Sequence, residues 1–472
     1  MACSFLLNSL PELTVQEIKS MLTIKPKVQF CKVKSNFKRK QPEPDPVKFF
    51  LDDGTLLTVP YLFAASYFSV IPNELIEHIK VKLNFLGKLR DHQKPVIEEA
   101  WQQLQTFGTS TLALYPGFGK TILAALLSTM LGYLTVVIMH RETIALAWVK
   151  TFVDNTNAKI WFVGQPQPEE FDVIICMGLR WEKIPAEIRK RCGFLIVDEA
   201  HCFCTPGFVE CLLSFHPAYI LLESATLERD DEMHRMAHAL AGQHGVFRQN
   251  NKPFRVLKVC TEVKAERKEF YYGLDYSSLV RDTLMDDWRN DIIYFLVHGN
   301  RDKKLLILTA LKDHTMFLHN MILNMKISCD YMCGNKKSYN DSNVLVGTMS
   351  KIGTGFDPAN ACATYDGRPF DCLIVASSIK KYSMLEQNVG RVFRCDYPIV
   401  YHLVDADEIF KNHWNLARKW YVTRGGQVAE YLVSLNMFEQ IQMDQRIEGW
   451  EEKEAEEANS AWLDQKIKSL KL

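Results

Sequence analysis

From about residue 86 onward the chain alternates short, fully apolar runs with segments of helical period, and it does so twice. In the first set the apolar runs are 111–115, 134–140, 160–163, 172–177, 194–197 and 219–222, with helical stretches at 121–131, 141–152 and 207–214. A strand that is apolar on every residue must be covered on both faces, and the intervening helices can do the covering. The expectation is an α/β fold with a parallel sheet. A second set follows, with apolar runs at 305–309, 343–347, 372–376 and 399–404 and helical stretches at 313–325 and 383–393. Two such lobes in tandem are expected over 86–245 and 254–440. The Gly-, Gln- and Asn-rich stretch 241–253, which ends in Pro253, reads as the passage between them. With 472 residues, 47% of them hydrophobic, the chain can fill two cores of this kind.

Residues 1–85 are different in character and read as a small accessory domain. Lys32, Lys34, Lys38, Arg39 and Lys40 form a basic run, and the proline-rich segment 41–46 follows it. That run reads first as a solvated loop, with a nuclear signal or a nucleic-acid contact as its alternative. Stretches 48–51 and 55–59 flank Asp52-Asp53-Gly54, a pattern for a hairpin. Residues 441–472 are rich in glutamate (Glu448, Glu451, Glu452, Glu454) and are expected to form an acidic helical tail.

Bulk properties exclude some classes. The 56 basic and 56 acidic side chains balance, so the chain is not a bulk polycation, and nucleic-acid binding would need a local groove. The longest apolar stretch, 121–139, is interrupted by Ser128, Thr129, Gly132 and Thr135, so no membrane span is expected. The N-terminus lacks the basic start of a secretory signal. The 13 cysteines include no CxxC pair, so zinc is not expected, and scattered thiols fit a reducing compartment. The expectation is a soluble intracellular protein, cytoplasmic or nuclear.

Three short segments carry chemistry. Between a strand ending near Leu114-Tyr115 and a helix opening at Ile122 runs Pro116-Gly117-Phe118-Gly119-Lys120-Thr121. Glycines let backbone N–H groups turn inward around phosphate oxygens, and the helix N-terminus adds partial positive charge. Lys120 is placed to reach the terminal phosphates of ATP, and the Thr121 hydroxyl to bind Mg²⁺. Leu114 stands where the strict phosphate-loop pattern has its first glycine. The second segment, Asp198-Glu199-Ala200-His201, ends an apolar strand. There Asp198 suits Mg²⁺ coordination and Glu199 suits the orientation and deprotonation of water. His201 is a candidate for a hydrogen bond toward the other lobe. The third segment is a helical stretch in the second lobe, where Gln387, Arg391 and Arg394 at i, i+4 and i+7 share one face. Gly390 allows close approach at that face, and guanidinium groups there could stabilise a transferring phosphoryl group.

Taken in order, these segments resemble those of a superfamily 2 helicase of the DEAH type. Within it they are similar to the excision-repair and transcript-release helicases and to their relatives in large cytoplasmic DNA viruses such as poxviruses and asfarviruses. The resemblance implies two RecA-like lobes with ATP and Mg²⁺ bound between them. Gln93, in Leu89-Arg90-Asp91-His92-Gln93, resembles the glutamine that contacts adenine. Arg141, in His140-Arg141-Glu142 with Trp148 downstream, resembles a strand-gripping motif. Ser224-Ala225-Thr226 resembles the motif that couples hydrolysis to strand movement. Thr348, Gly355 and Asp357 resemble the motif that touches both the nucleic-acid backbone and ATP. The implied activity is an ATP-dependent helicase or translocase on single-stranded or duplex nucleic acid. DNA is favoured, with 3′→5′ movement, in transcription or repair and with proteins of those processes as partners. An RNA helicase and a non-unwinding, ATP-gated clamp acting with a polymerase stand as alternatives.

Overall fold

The computed structural model describes residues 2–27, 44–224, 228–229, 231–250, 252–270, 273–353, 356–362 and 364–431. The basic run at 32–40 and the acidic tail expectation at 441–472 lie outside these residues.

Strands β1 (Ala2–Leu6), β4 (Leu51–Asp52) and β5 (Leu56–Pro60) make a small antiparallel sheet in the order β1-β5-β4, while β2 (Thr23–Ile24) and β3 (Val47–Lys48) pair separately. The hairpin expected around Asp52-Asp53-Gly54 is present. Asp52 and Asp53 accept from the backbone N–H groups of Gly54, Thr55 and Leu56, and Gly54 takes a positive φ of 84°. The helices Glu12–Met21 and Tyr61–Phe68 enclose a separate small core of Val15, Ile18, Leu22, Leu57, Val59 and Ala64. This unit is anchored to the following lobe. The Ala2 N–H donates to the Phe215 carbonyl, and the Tyr61 hydroxyl donates to the Ala218 carbonyl.

The next seven strands form one parallel sheet. They are β6 (Thr109–Leu114), β7 (Thr135–Met139), β8 (Ile160–Phe162), β9 (Val173–Met177), β10 (Phe194–Asp198), β11 (Tyr219–Glu223) and β12 (Val246–Arg248), in the order β12-β6-β11-β10-β7-β9-β8. Alternate residues of one strand feed two different cores. Leu195 and Val197 of β10 pack into one, while Phe194 and Ile196 pack into the other. The sheet extends through β12, so the stretch 241–253 is not all connector. Residues 246–248 pair with β6, where three residues at a sheet edge give too short an apolar signal to read.

The second sheet is also parallel and seven-stranded. It comprises β13 (Phe254–Cys260), β16 (Leu305–Thr309), β17 (Cys329–Met332), β18 (Val344–Thr348), β19 (Cys372–Val375), β20 (Ile399–Val404) and β21 (Gly426–Tyr431), in the order β17-β18-β16-β19-β20-β13-β21. A short hairpin, β14 (Glu269–Phe270) with β15 (Gly273–Leu274), lies outside it. The architecture is two RecA-like lobes with a small N-terminal unit. One expected element differs. The helix read through 383–393 is α-helical only over Tyr382–Val389 and tightens to a 3₁₀ turn at Gly390–Val392. Arg391 and Arg394 therefore do not lie on one continuous α-helical face.

Candidate functional site

The loop after β6 has the geometry that its glycines suggest. Gly117 and Gly119 have φ of 85° and 101°, and the helix Lys120–Leu131 starts directly behind them. A Cβ on Gly119 would lie 2.4 Å from Nε2 of Gln93. That buried glutamine braces the loop, donating to the Phe118 carbonyl at 2.8 Å while its Oε1 accepts from the Arg90 N–H at 2.9 Å. His92 and Tyr115 each set an edge against the Phe118 ring. Both polar ends of Gln93 are thus engaged by backbone. Lys120 Nζ donates to the Leu114 carbonyl at 3.0 Å, which curls the side chain over the loop.

Asp198 ends β10 and is buried. Its Oδ2 accepts from Trp148 Nε1 at 2.8 Å. Trp148 is itself fully buried, so it supports the acid and is not available to grip a strand. Burial, and the Glu199 charge beside it, push the Asp198 carboxyl up to about 6. Glu199 adopts a left-handed backbone, φ 51°, rare for a residue with a Cβ. Strain of this kind clusters at functional sites. Glu199 Oε2 is buried without a hydrogen bond and lies 3.5 Å from Nδ1 of His201. His201 Nδ1 also meets the Ser224 hydroxyl at 2.9 Å, so the acidic segment is tied to the end of β11. Burial, reinforced by the Arg229 charge, holds His201 down to about 4 and neutral.

The second lobe closes over this site. A Cβ on Gly390 would lie 3.0 Å from Cγ of Pro116, and one on Gly117 would lie 3.5 Å from Nε of Arg394. Pro116, Gly117, Phe356, Pro358, Gly390, Arg391 and Arg394 line the narrow seam between the lobes. Arg391 donates to the carbonyls of Phe356 (2.6 Å) and Gly353, and its Nε is buried without a partner. Burial lowers Arg391 to about 10, and the Glu199 charge across the seam works against that shift. Arg394 forms a bidentate pair with Asp357 at 3.0 and 2.6 Å. Burial alone would raise the Asp357 carboxyl, but the Arg394 hydrogen bond and charge overcome it and hold it low.

The lobes also meet farther out. Arg141 Nη1 donates to the Ser350 carbonyl at 3.1 Å, and Lys337 pairs with Glu142 at 3.0 Å. Thr348, at the end of β18, is buried, and the Ser350 hydroxyl lies 3.5 Å from its Oγ1. Gln387 is half-buried on the helix that leads to Gly390. Thr226 and Gly355 lie outside the described residues. The structure thus gathers the loop 114–121, Gln93, Asp198, Glu199, His201 and Ser224 on one side of the seam, with Asp357, Arg391 and Arg394 facing them.

One acid in this cluster escaped the sequence reading. Glu223 ends β11, beside Asp198 in register and next to β6. It has no exposed surface, and among the described residues neither carboxylate oxygen has a hydrogen-bond partner. An acid closing an apolar strand just before Ser224 is the same signal that marked Asp198.

Residues 86–229 match the family described as "Type III restriction enzyme, res subunit". The chain is similar to "Putative helicase 161L" of Invertebrate iridescent virus 6, 27% identical over 384 residues, covering 74% of this chain and 84% of that protein. It is also similar to "Putative helicase 055L" of Frog virus 3, 29% identical over 71% of this chain and 78% of that protein. "Putative ATP-dependent RNA helicase L396" of Acanthamoeba polyphaga mimivirus is 22% identical over 95% of this chain and 88% of that protein. Among solved structures, S. cerevisiae Dbp5 bound to RNA and ADP BeF3 shares the fold, with a TM-score of 0.51 and 12% identity, covering 71% of this chain and 89% of that one. Residues 86–229 thus carry a helicase domain of this restriction-enzyme type, and the relatives that align with most of the chain are named as putative helicases of large DNA viruses.

Proposed function

We propose that this helicase is an ATP-driven translocase that moves along one nucleic-acid strand by opening and closing the seam between its lobes. The observation that carries this reading is the seating of Gly390 and Arg394 against Pro116 and Gly117. Neither lobe alone holds both the phosphate loop and the guanidinium groups. Lys120 and the loop amides bind the phosphates, and Glu199 holds and deprotonates the attacking water. Arg391 and Arg394 balance charge that develops on the transferred phosphoryl group. Gln387 completes the site from the second lobe, and Gln93 sets the loop that receives adenine.

No group of three or more His, Cys, Asp or Glu among the described residues is arranged to hold a metal alone. Mg²⁺ in nucleotide sites binds through one or two protein oxygens together with substrate phosphates. The unpartnered carboxylate oxygens of Glu199 and Glu223 around Asp198 fit such an ion, and Asp198 with Thr121 would hold it. When bound, it neutralises phosphate charge.

The acidic segment and its order relative to the other motifs support a DEAH-type assignment. They also support a partition at about residues 86–245 and 254–440, with β12 carrying the first sheet to Arg248. Arg141, His201, Ser224, Thr226, Thr348, Gly355 and Asp357 are proposed to couple the seam to the strand. DNA with 3′→5′ movement, in transcription or repair, is the favoured substrate and setting. The mimivirus relative, named as an RNA helicase, favours a second reading, RNA.

ATP hydrolysis with and without single strands, and strand displacement on matched DNA and RNA duplexes with 3′ or 5′ overhangs, test this. Stimulated hydrolysis and displacement from the 3′-tailed DNA are expected. Glu199→Gln should bind ATP but lose turnover by about 10²–10⁴. Stimulation without any displacement would point to a clamp, and hydrolysis indifferent to every strand would sink the translocase reading.

A further inference from the structure

Three features converge on Glu223. First, it is enclosed by the middle of the first sheet. β11 runs between β6, which feeds the phosphate loop, and β10, which ends in Asp198. In the parallel register Glu223 stands opposite Asp198 on one side and Leu112 on the other, so the Glu223 and Asp198 side chains leave the sheet on the same face. Second, this carboxylate has no exposed surface, and neither of its oxygens has a hydrogen-bond partner among the described residues. Such a group is costly, and in a native protein it calls for a catalytic role, a water or an ion. Third, the acid beside it is already partly used, because Asp198 Oδ2 accepts from Trp148 Nε1. The charges of Asp198, Lys120 and Glu199 all act on Glu223, the same groups proposed to meet the phosphates and the cation.

A purely structural role fits poorly. A core carboxylate kept for packing would be expected to have its oxygens satisfied, as Asp405 has in the second lobe, where Thr261 and Arg289 donate to it. A Lys120 anchor would show an ammonium on Glu223, yet Lys120 Nζ is directed to the Leu114 carbonyl.

We propose that Glu223 is a positioning carboxylate for the divalent cation that accompanies the nucleotide, accepting hydrogen bonds from the water shell of the cation beside Asp198. Glu223 supplies the second negative charge of that pocket, and Asp198, braced by Trp148, supplies the first. This inference rests on the ATP–Mg²⁺ reading of the site.

The test uses the full chain, with Mn²⁺ as the probe, followed by its electron paramagnetic resonance signal in the presence of saturating ADP. Nucleotide affinity without metal is measured in parallel, in EDTA, with a fluorescent ADP. Glu223→Gln keeps the shape and removes the charge. It is expected to weaken Mn²⁺ binding by about tenfold or more, the size typical of outer-shell partners, and to leave metal-free ADP affinity unchanged. Thr121→Ala separates the two claims. If it weakens Mn²⁺ and Glu223→Gln does not, the Glu223 inference fails and the nucleotide site stands. If neither variant affects Mn²⁺, the reading of the site itself fails. A loss of metal-free ADP affinity in Glu223→Gln, with Mn²⁺ binding intact, would make it a partner of Lys120 and overturn the proposal. Glu223→Met gives an independent readout. With an apolar side chain in place of the buried acid, its melting temperature in EDTA is expected to equal or exceed that of the parent, while its gain from Mn²⁺ plus ADP shrinks. A lower melting temperature in EDTA with the full Mn²⁺ gain would assign Glu223 to the fold alone.

Discussion

At the scale of single residues, Arg391 shows how much of a role depends on neighbours. The sequence places it near a phosphate as a free cation. In the structure its guanidinium holds the Phe356 and Gly353 carbonyls and feels Glu199 across the seam. Its fork is therefore oriented before nucleotide arrives, and preorganisation of this kind is what makes a charged donor effective in a dry site. Arg391→Lys keeps a charge but loses the planar fork. Single-turnover ATPase is expected to fall by about 10³ or more in Arg391→Ala, with Arg391→Lys recovering little of it and ATP affinity changing far less. Normal turnover in the lysine variant would mean that charge alone suffices there. Lys120, Asp198 and Glu199 were legible because a glycine-flanked lysine and an acid at a strand tip have few other uses together. Glu223 carried the same strand-tip signal but no familiar spacing. The burial of Trp148 against Asp198 is not written in a helical pattern, so the resemblance placed it with the strand-gripping motif.

At the scale of elements, the helix Asp287–His298 is fastened to the second sheet by a buried ion pair. Arg289, with no exposed surface, donates to Asp405 at 2.8 Å and to the Ala376 carbonyl at 2.9 Å, and Thr261 donates to the same Asp405 at 2.7 Å. Arg289→Ala leaves Asp405 buried without its cation and is expected to cost about 3–5 kcal/mol by urea unfolding. A double change, Arg289→Met with Asp405→Leu, is expected to recover most of that loss, because two apolar groups need no partner. Elements with long apolar runs, such as β16 and β20, were legible to within a residue. At the edges the outcome was mixed, with β8 legible and β12, β17 and β21 not. β12 is three residues long, and β13 carries Arg255 and Lys258 among its apolar positions, because a strand near the edge has less to cover. The end of the helix Tyr382–Val389 was misread for a different reason. Gly390 fits against Pro116 of the other lobe, and the chain tightens there to make the approach.

At the scale of the whole molecule, both lobes bury neutral histidines. Burial lowers His140, His201 and His216 to about 4 in the first lobe, and His314 and His402 to about 3 in the second. Unfolded histidine titrates near 6.5. Stability from these groups is complete above that value and is lost as pH falls toward and through the folded values. Asp198 and Glu223 have the opposite sign. Burial raises both carboxyls, which favours the fold at low pH, and for Asp198 that contribution is lost as pH rises through about 6. With five histidines against this, the melting temperature is expected to drop between pH 7 and 4. His402→Gln, at a site where the ring meets Tyr421 and Trp414, should flatten the drop. An equal slope in that variant would remove His402 from the account.

Local order was determined by the sequence. Full-length apolar strands between helices dictate a covered parallel sheet, and glycines before Lys120 dictate an open phosphate loop, because each follows from neighbours a few residues apart. Pairing across distance was decided by the tertiary structure. Gly390 against Pro116, Arg394 against Gly117, Arg141 on Ser350 and Lys337 on Glu142 join residues that lie far apart along the chain. No local periodicity encodes such contacts. They exist because two sheets, each with its own core, present complementary rims, and the candidate site is complete only where those rims meet.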